Sequence, residues 1–217
     1  MSIRVLIIDD HELVCESVGQ MLDGQLGIEV VGMGHDGRMA IDLARELRPD
    51  IIIMDISMPH LNGIEATRRI TEQFEAVKVI ALSASADKRS VCEMLKAGAK
   101  GYVPKTCAFS ELSNAVVSVS AGQMYLSSHI SAIVVDGYVN RQTHKDDSAY
   151  SVLTTREREV LQLIAEGLST KAAAKELHVS PKTVEWHRCQ IMRKLDIQSV
   201  AEMVKYAINE GLICVGV

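Results

Sequence analysis

Ile51-Ile52-Ile53-Met54-Asp55-Ile56-Ser57-Met58-Pro59-His60-Leu61-Asn62-Gly63 is the stretch from which the fold can be read. Four large apolar residues in a row suit a strand buried on both faces, and such strands belong to parallel sheets covered by helices. The run ends on a carboxylate, and Pro59 and Gly63 mark a loop leading to a helix over 63–74. Outward from it the same form repeats. Apolar runs at 3–8, 28–33, 77–82 and 101–103 alternate with helical-period stretches near 11–24, 36–47, 87–97 and 108–121. Strands alternating with amphipathic helices predict a doubly wound α/β unit with five parallel strands and right-handed crossovers.

A polar residue closes four of these strands: Asp9 and Asp10 the first, Asp55 the third, Ser83 the fourth and Lys105 the fifth. A parallel sheet gathers the carboxyl ends of its strands at one edge. Three carboxylates brought together there repel one another unless a cation lies among them, and hard oxygen ligands suit Mg²⁺. Lys105 supplies a positive charge and Ser83 a hydroxyl for phosphoryl oxygens, which is the equipment of an in-line transfer to a carboxylate. Singly, each residue has a plainer explanation: an Asp after a strand forms turns or caps helices, and a Lys is a surface residue. Their conjunction at four strand ends favours the phosphoryl site.

The helical and strand periods fail between about 127 and 150, and residues 140–148 are polar and charged, so the sequence predicts a first domain over 1–124, a linker over 125–150 and a second domain over 151–217. The second domain carries only helical signals. Thr154-x-x-Glu157 and Ser199-x-x-Glu202 fit capping boxes, Ser180-Pro181 fits an N-cap followed by proline, and Ser169 can cap a short helix. Four helices follow, near 155–166, 170–177, 181–195 and 200–210, with His178-Val179 as the short turn of a helix-turn-helix.

Charge separates the halves. The chain has net charge −5; residues 151–217 hold 9 Lys and Arg against 8 Asp and Glu, and residues 1–150 hold 14 against 20. Within 180–194, Lys182, Arg188, Arg193 and Lys194 face only Glu185, a local excess suited to phosphates. Five scattered cysteines (Cys15, Cys92, Cys107, Cys189, Cys214) show no metal or redox spacing and read mostly as buried thiols in a reducing compartment. Met-Ser-Ile-Arg runs directly into a strand, and no apolar run reaches the length of a membrane span, so a cytoplasmic protein without a membrane partner is expected.

Residues 1 to about 122, with Asp55-x-x-Met58-Pro59-x-x-x-Gly63 after the third strand, resemble the receiver domain of bacterial two-component response regulators. Leu153-Thr154-x-Arg156-Glu157-x-Glu159-Val160-Leu161 with Ser180-x-Lys182-Thr183-Val184-x-x-His187 resembles the LuxR-type helix-turn-helix, and together they are similar to the NarL/FixJ subfamily. The resemblance implies a flavodoxin-like receiver and a small all-α DNA-binding domain. It implies Asp55 as phospho-acceptor from a sensor histidine kinase, and Mg²⁺ held by Asp9, Asp10, Asp55 and the carbonyl of Ser57. It further implies Ser83 and Lys105 as phosphoryl ligands, Tyr102 as an aromatic switch, Ser57 and Ser85 as tuners of phosphoryl lifetime, and a homodimer on promoter DNA. Without it, Tyr102 reads as a packing aromatic with its hydroxyl at the surface. Thr106 follows Lys105 where many receivers have proline, and Pro104 precedes it.

A helix beginning at Ser180 aims free N–H groups at a phosphate. On it Lys182 and Arg188 can read guanine edges or phosphates, and Thr183 and His187 can bond backbone oxygens; Glu185 accepts from cytosine or repels phosphate. Trp186, the only tryptophan, reads as a partly buried anchor slightly ahead of a base contact. Ala172-Ala173-Ala174 replaces a bulkier segment usual in the family. Val200, Met203, Val204, Ala207 and Ile208 form a stripe that divides between the core and a dimer seam.

Two enzyme readings compete. Gly32-x-Gly34-x-x-Gly37 after a strand, with Asp55 further on, formally matches a dinucleotide fingerprint, although it sits in the second βα unit and leaves Asp9, Asp10, Ser83 and Lys105 without a task. A haloacid-dehalogenase-type phosphatase also uses an Asp nucleophile with Mg²⁺, but its carboxylates come as D-x-D, whereas here they are adjacent.

Overall fold

In a computed structural model, residues 2–84, 87–107, 109–139 and 149–213 are described. The chain divides into two units, Met1–Thr143 and His144–Val217. The first contains β1 (Ile3–Ile8), α1 (Glu12–Asp23), β2 (Ile28–Gly34), α2 (Gly37–Leu47), β3 (Ile51–Asp55), α3 (Gly63–Gln73), β4 (Lys78–Ser83), α4 (Lys88–Lys96), β5 (Gly101–Pro104), α5 (Phe109–Ser120), β6 (Tyr125–Leu126) and α6 (Ser128–Val139). The strands form one sheet in the order β2-β1-β3-β4-β5-β6, with every pairing parallel. Ile51, Ile52, Ile53 and Met54 are fully buried, as a strand covered on both faces requires. Val5, Ile7, Ile53 and Ile80 pack with Leu112, Val116 and Val119 of α5 on one side of the sheet.

The sheet has a sixth strand where five were expected. The short strand β6 pairs with β5, and α6 packs on α4, both within the stretch assigned to a linker over 125–150. A two-residue strand is too short to show a period, and the apolar residues of α6 do not fall into a single stripe. Of the expected linker, residues 140–148 lie outside the described residues.

The second unit contains α7 (Ala149–Val152), α8 (Thr155–Ala165), α9 (Thr170–Glu176), α10 (Pro181–Leu195) and α11 (Val200–Asn209), four expected helices and one short addition. Its core joins Leu161, Ile164, Ala173, Val184, Ile191 and Met203. Ala173 and Ala174 are buried, so small side chains bring α9 close to its neighbours. The capping box of Thr154 and Glu157 is complete. At Ser199 the hydroxyl accepts from the Glu202 N–H, but the Glu202 carboxylate turns to the N–H of Gln198 instead of closing the box.

The cysteines expected as buried thiols differ among themselves: Cys15 is buried, Cys92 and Cys107 half-buried and Cys189 exposed, while Cys214 lies outside the described residues. Among the described residues no helix is long and apolar enough to cross a membrane.

Candidate functional site

Because β1 lies between β2 and β3, the direction of winding reverses there and a crevice opens beyond the carboxyl ends of the strands. Register aligns those ends: Ile8 faces Met54, Asp55 faces Leu82, and Ser83 faces Pro104. Asp9 and Asp55 are buried there, and the Lys105 ammonium stands between them, 2.7 Å from Asp9 Oδ2 and 3.1 Å from Asp55 Oδ1. Ser83, also buried, accepts the Lys105 backbone N–H on its carbonyl at 2.7 Å. Asp10 and Ser57 are exposed at the mouth of the crevice, and Ser85 lies outside the described residues. The start of α3 crowds the end of β3 so closely that a Cβ on Gly63 would lie 1.9 Å from the Asp55 carbonyl oxygen. Only glycine lets the helix begin there.

Burial pushes the Asp55 carboxyl up from 3.8 to about 6; Lys105 opposes the rise, and the nearby charges of Asp9 and Asp10 add to it. Burial also draws the Lys105 ammonium down, but its hydrogen bond to Asp9 and the charges of Asp55 and Asp9 outweigh that and hold it above its usual value. One ammonium thus pairs with two buried carboxylates. The ligand atoms of Asp9, Asp10 and His11 lie within 4.8 Å of one another. A donor set dominated by oxygen, with carboxylates in excess of neighbouring cations, fits a hard divalent cation.

Tyr102 departs from the reading that gave it a surface hydroxyl. Its side chain is wholly buried, and the hydroxyl hydrogen-bonds with Ser83; burial raises it to about 12, partly offset by that bond. Tyr102 and Ser83, expected as switch and phosphoryl ligand, are therefore joined by that bond.

The dinucleotide reading fails on the glycines that suggested it. A Cβ on Gly32 would meet Leu47, one on Gly34 would meet Ile8, and one on Gly37 would lie 2.3 Å from the Leu61 carbonyl oxygen, so each glycine serves internal packing. Asp36 occupies the start of α2, accepting from the N–H groups of Arg38 and Met39 at 2.7 and 2.8 Å. A pyrophosphate would meet that carboxylate where it needs free N–H groups.

In the helical unit, Ser180 caps α10 by accepting the Thr183 N–H at 3.1 Å, and its hydroxyl also meets the Thr183 hydroxyl at 2.9 Å. His178 takes a left-handed conformation (φ 53°) in the turn between α9 and α10. That turn is tied down by Arg156, which donates to the Leu177 carbonyl at 2.6 Å and pairs with Glu159 at 2.8 Å. The capping residue Glu157 also binds Lys194 at 2.6 Å, fixing the far end of α10 to the start of α8.

The six residues expected to read DNA separate into two sets. Lys182, Glu185 and Trp186 are exposed, while Thr183, His187 and Arg188 are half-buried. Trp186, read as a partly buried anchor, is 58% exposed and meets the His187 ring edge-on at 4.9 Å. Burial first, with the charges of Arg156 and Lys194, keeps the His187 imidazole below its usual value against the pull of Glu157. Cys189 and Arg193 complete the exposed face with Lys182 and Trp186. The recurrence 182, 186, 189, 193 marks that face and leaves Arg188 about 120° around the helix from Lys182, on the side of the buried Val184. The sequence reading also missed His11, which lies beside Asp9 and Asp10.

Two family models match the chain: the response regulator receiver domain over residues 5–117, and bacterial regulatory proteins of the luxR family over residues 151–207. The chain is 38% identical over 213 residues to the transcriptional regulatory protein LiaR of Bacillus subtilis (strain 168), covering 97% of this chain and 99% of that one. It is 37% identical over 215 residues to the oxygen regulatory protein NreC of Staphylococcus haemolyticus (strain JCSC1435), with the same coverage. Among solved structures it is similar to the complex of the two-component response regulator RcsB with DNA, at 25% identity and a TM-score of 0.60 over 97% of this chain and 99% of that one.

Proposed function

Because the chain belongs to the response regulators that join a receiver domain to a LuxR-type DNA-binding domain, we propose that Asp55 accepts a phosphoryl group from a sensor histidine kinase and that this charge sets how the helical unit grips promoter DNA. What carries the reading is Asp55 itself, a buried carboxylate at the end of a central strand, 3.1 Å from the Lys105 ammonium. An Asp55 oxygen forms a bond to phosphorus as the bond to the kinase histidine nitrogen breaks, so the chain catalyses only its own modification and its loss. Mg²⁺, when held by Asp9, Asp10, Asp55 and the Ser57 carbonyl, supplies positive charge to the oxygens of the transferred group.

Lys105 binds those oxygens in place of part of its present pairing with Asp55, and Ser83 offers its hydroxyl. Ser83 also bonds Tyr102, so recruiting the serine biases the tyrosine and the strand that carries it. In the cytoplasm, the phosphorylated chain forms a homodimer on double-stranded promoter DNA. Lys182, Glu185 and Trp186 face the duplex, with Thr183, His187 and Arg188 at the edge. Since a ligand shifts an equilibrium only by its differential affinity, the unmodified form retains some DNA binding.

Labelling with acetyl phosphate or a cognate kinase, followed by mass spectrometry of the modified residue, tests this. The expected result is stoichiometric modification of Asp55, no labelling of Asp55→Asn, and a rise in promoter affinity on phosphorylation. Full labelling of the variant would refute the assignment.

A further inference from the structure

The exposed face of α10 carries one large apolar side chain among cations. Val184 and Ile191 hold the opposite side of the helix in the core, while Lys182, Trp186, Cys189 and Arg193 fall within about 60° of arc on the outside. Trp186, one turn beyond Lys182, keeps 58% of its surface exposed. Its ring meets the half-buried His187 ring edge-on at 4.9 Å, so the indole is braced from one side and open on the other. An apolar protein surface is a poor partner for it, because Lys182 and Arg193 would be stripped of water at the same contact. A polyanion with apolar groups of its own fits the whole face. Between residues 180 and 194 four cations stand against one carboxylate.

We propose that Trp186 makes the helical unit specific for thymine at one base pair of each half-site. The proposal rests on the reading of α10 as the helix that meets the major groove. The four bases present different edges there. Thymine offers a methyl group beside the O4 acceptor; guanine offers two acceptors and no methyl, adenine an acceptor and a donor, cytosine a donor. An indole has an apolar ring and a single N–H that donates and never accepts. Ring against methyl, with the N–H toward O4, matches both groups only at thymine. Against adenine or cytosine a base amino group faces the indole without an acceptor, and against guanine the apolar ring goes unmatched. Lys182 and Arg193 are donors too, but neither offers an apolar surface of that breadth, so the methyl group is read by Trp186.

The test selects binding sites from randomised duplex DNA with the full chain, treated with acetyl phosphate. Each thymine of the selected site is then replaced by deoxyuridine, which removes only the methyl group. One thymine per half-site is expected to be sensitive, with affinity falling about fourfold, the equilibrium equivalent of one buried methyl group. In Trp186→Ala the same replacement is expected to have no effect. 5-Iododeoxyuridine at that position, its iodine standing where the methyl was, is expected to cross-link to Trp186 on irradiation, a readout that holds even where Trp186→Ala binds too weakly to titrate. A selected site that tolerates every deoxyuridine, equal sensitivity in Trp186→Ala, or a cross-link to another residue of α10 would overturn the role of Trp186 and leave α10 as the DNA reader. Selection that enriches no sequence, or a cross-link outside α10, would instead overturn the reading of α10 itself, and this proposal with it.

Discussion

Lys105 and Lys182 carry the same ammonium and meet opposite amounts of solvent. Lys105 is held between two buried carboxylates, whereas Lys182 projects from an exposed face of α10. In the crevice, folding itself sets the geometry, because charges taken out of water must be paired to be tolerated. On α10, folding fixes only which way the residue points, and among the described residues nothing holds its ammonium. A transfer reaction needs the first kind of site, with its charges placed before the substrate arrives. A surface that reads a flexible polymer works with the second.

Removing each lysine measures that contrast. Lys105→Met leaves Asp9 and Asp55 buried without their cation, and in a chelator at pH 7 the receiver unit is expected to lose about 3–5 kcal/mol. Lys182→Ala is expected to shift unfolding of the helical unit by less than about 0.5 kcal/mol. Amide exchange follows the first unit, and fluorescence of Trp186, the only tryptophan, follows the second. Similar losses for the two variants would break the comparison.

A smaller effect separates the units by pH. The Asp55 carboxyl titrates near 6 when folded, above its ordinary 3.8. The folded state therefore holds that proton more tightly; the stabilisation is complete below about 3.8 and is lost as pH rises through about 6. Relative to Asp55→Asn, the chelated receiver unit is expected to weaken across that window by on the order of 1–3 kcal/mol. His187 slopes the other way. Its imidazole is depressed, so its contribution is present above the ordinary 6.5 and lost as pH falls through the folded value. Amide exchange from pH 4 to 7, with His187→Gln as the second reference, checks both. Slopes of the same sign would show that one burial argument does not cover both groups.

The sheet could be read in the chain because its central strands are buried on both faces and so are written as unbroken apolar runs. The crevice could be read because parallel strands end together, which brings Asp9, Asp55, Ser83 and Lys105 to one edge without any knowledge of side-chain direction. What spacing alone did not settle were features that depend on direction. A helix turns about 100° per residue, so the sequence spacing does not by itself fix that Arg193 is exposed on α10 while Arg188 is half-buried. Whether Tyr102 points inward and whether Lys105 divides its charge between two carboxylates are decided by packing around them. The strand β6 escaped for a different reason, since two residues cannot display a period of two.

The smallest expected effect on folding carries the sharpest statement about the helical unit. Lys182 and Arg193 lie on one exposed face of α10, and neither is needed to hold the helix, whose start is capped by Ser180 and whose far end is tied through Lys194 to Glu157. Alanine at either position is therefore expected to leave the Trp186 unfolding curve within about 0.5 kcal/mol of wild type. Promoter affinity is expected to fall by about 1–3 kcal/mol where the side chain reads a base, or almost uniformly across sequences, with a shallower salt dependence, where it meets phosphate. Arg188, half-buried and off that face, serves as the internal control. If Arg188→Ala weakens promoter binding more than Lys182→Ala and Arg193→Ala together, exposure in the free chain does not mark the reading face, and α10 meets the duplex on a different side.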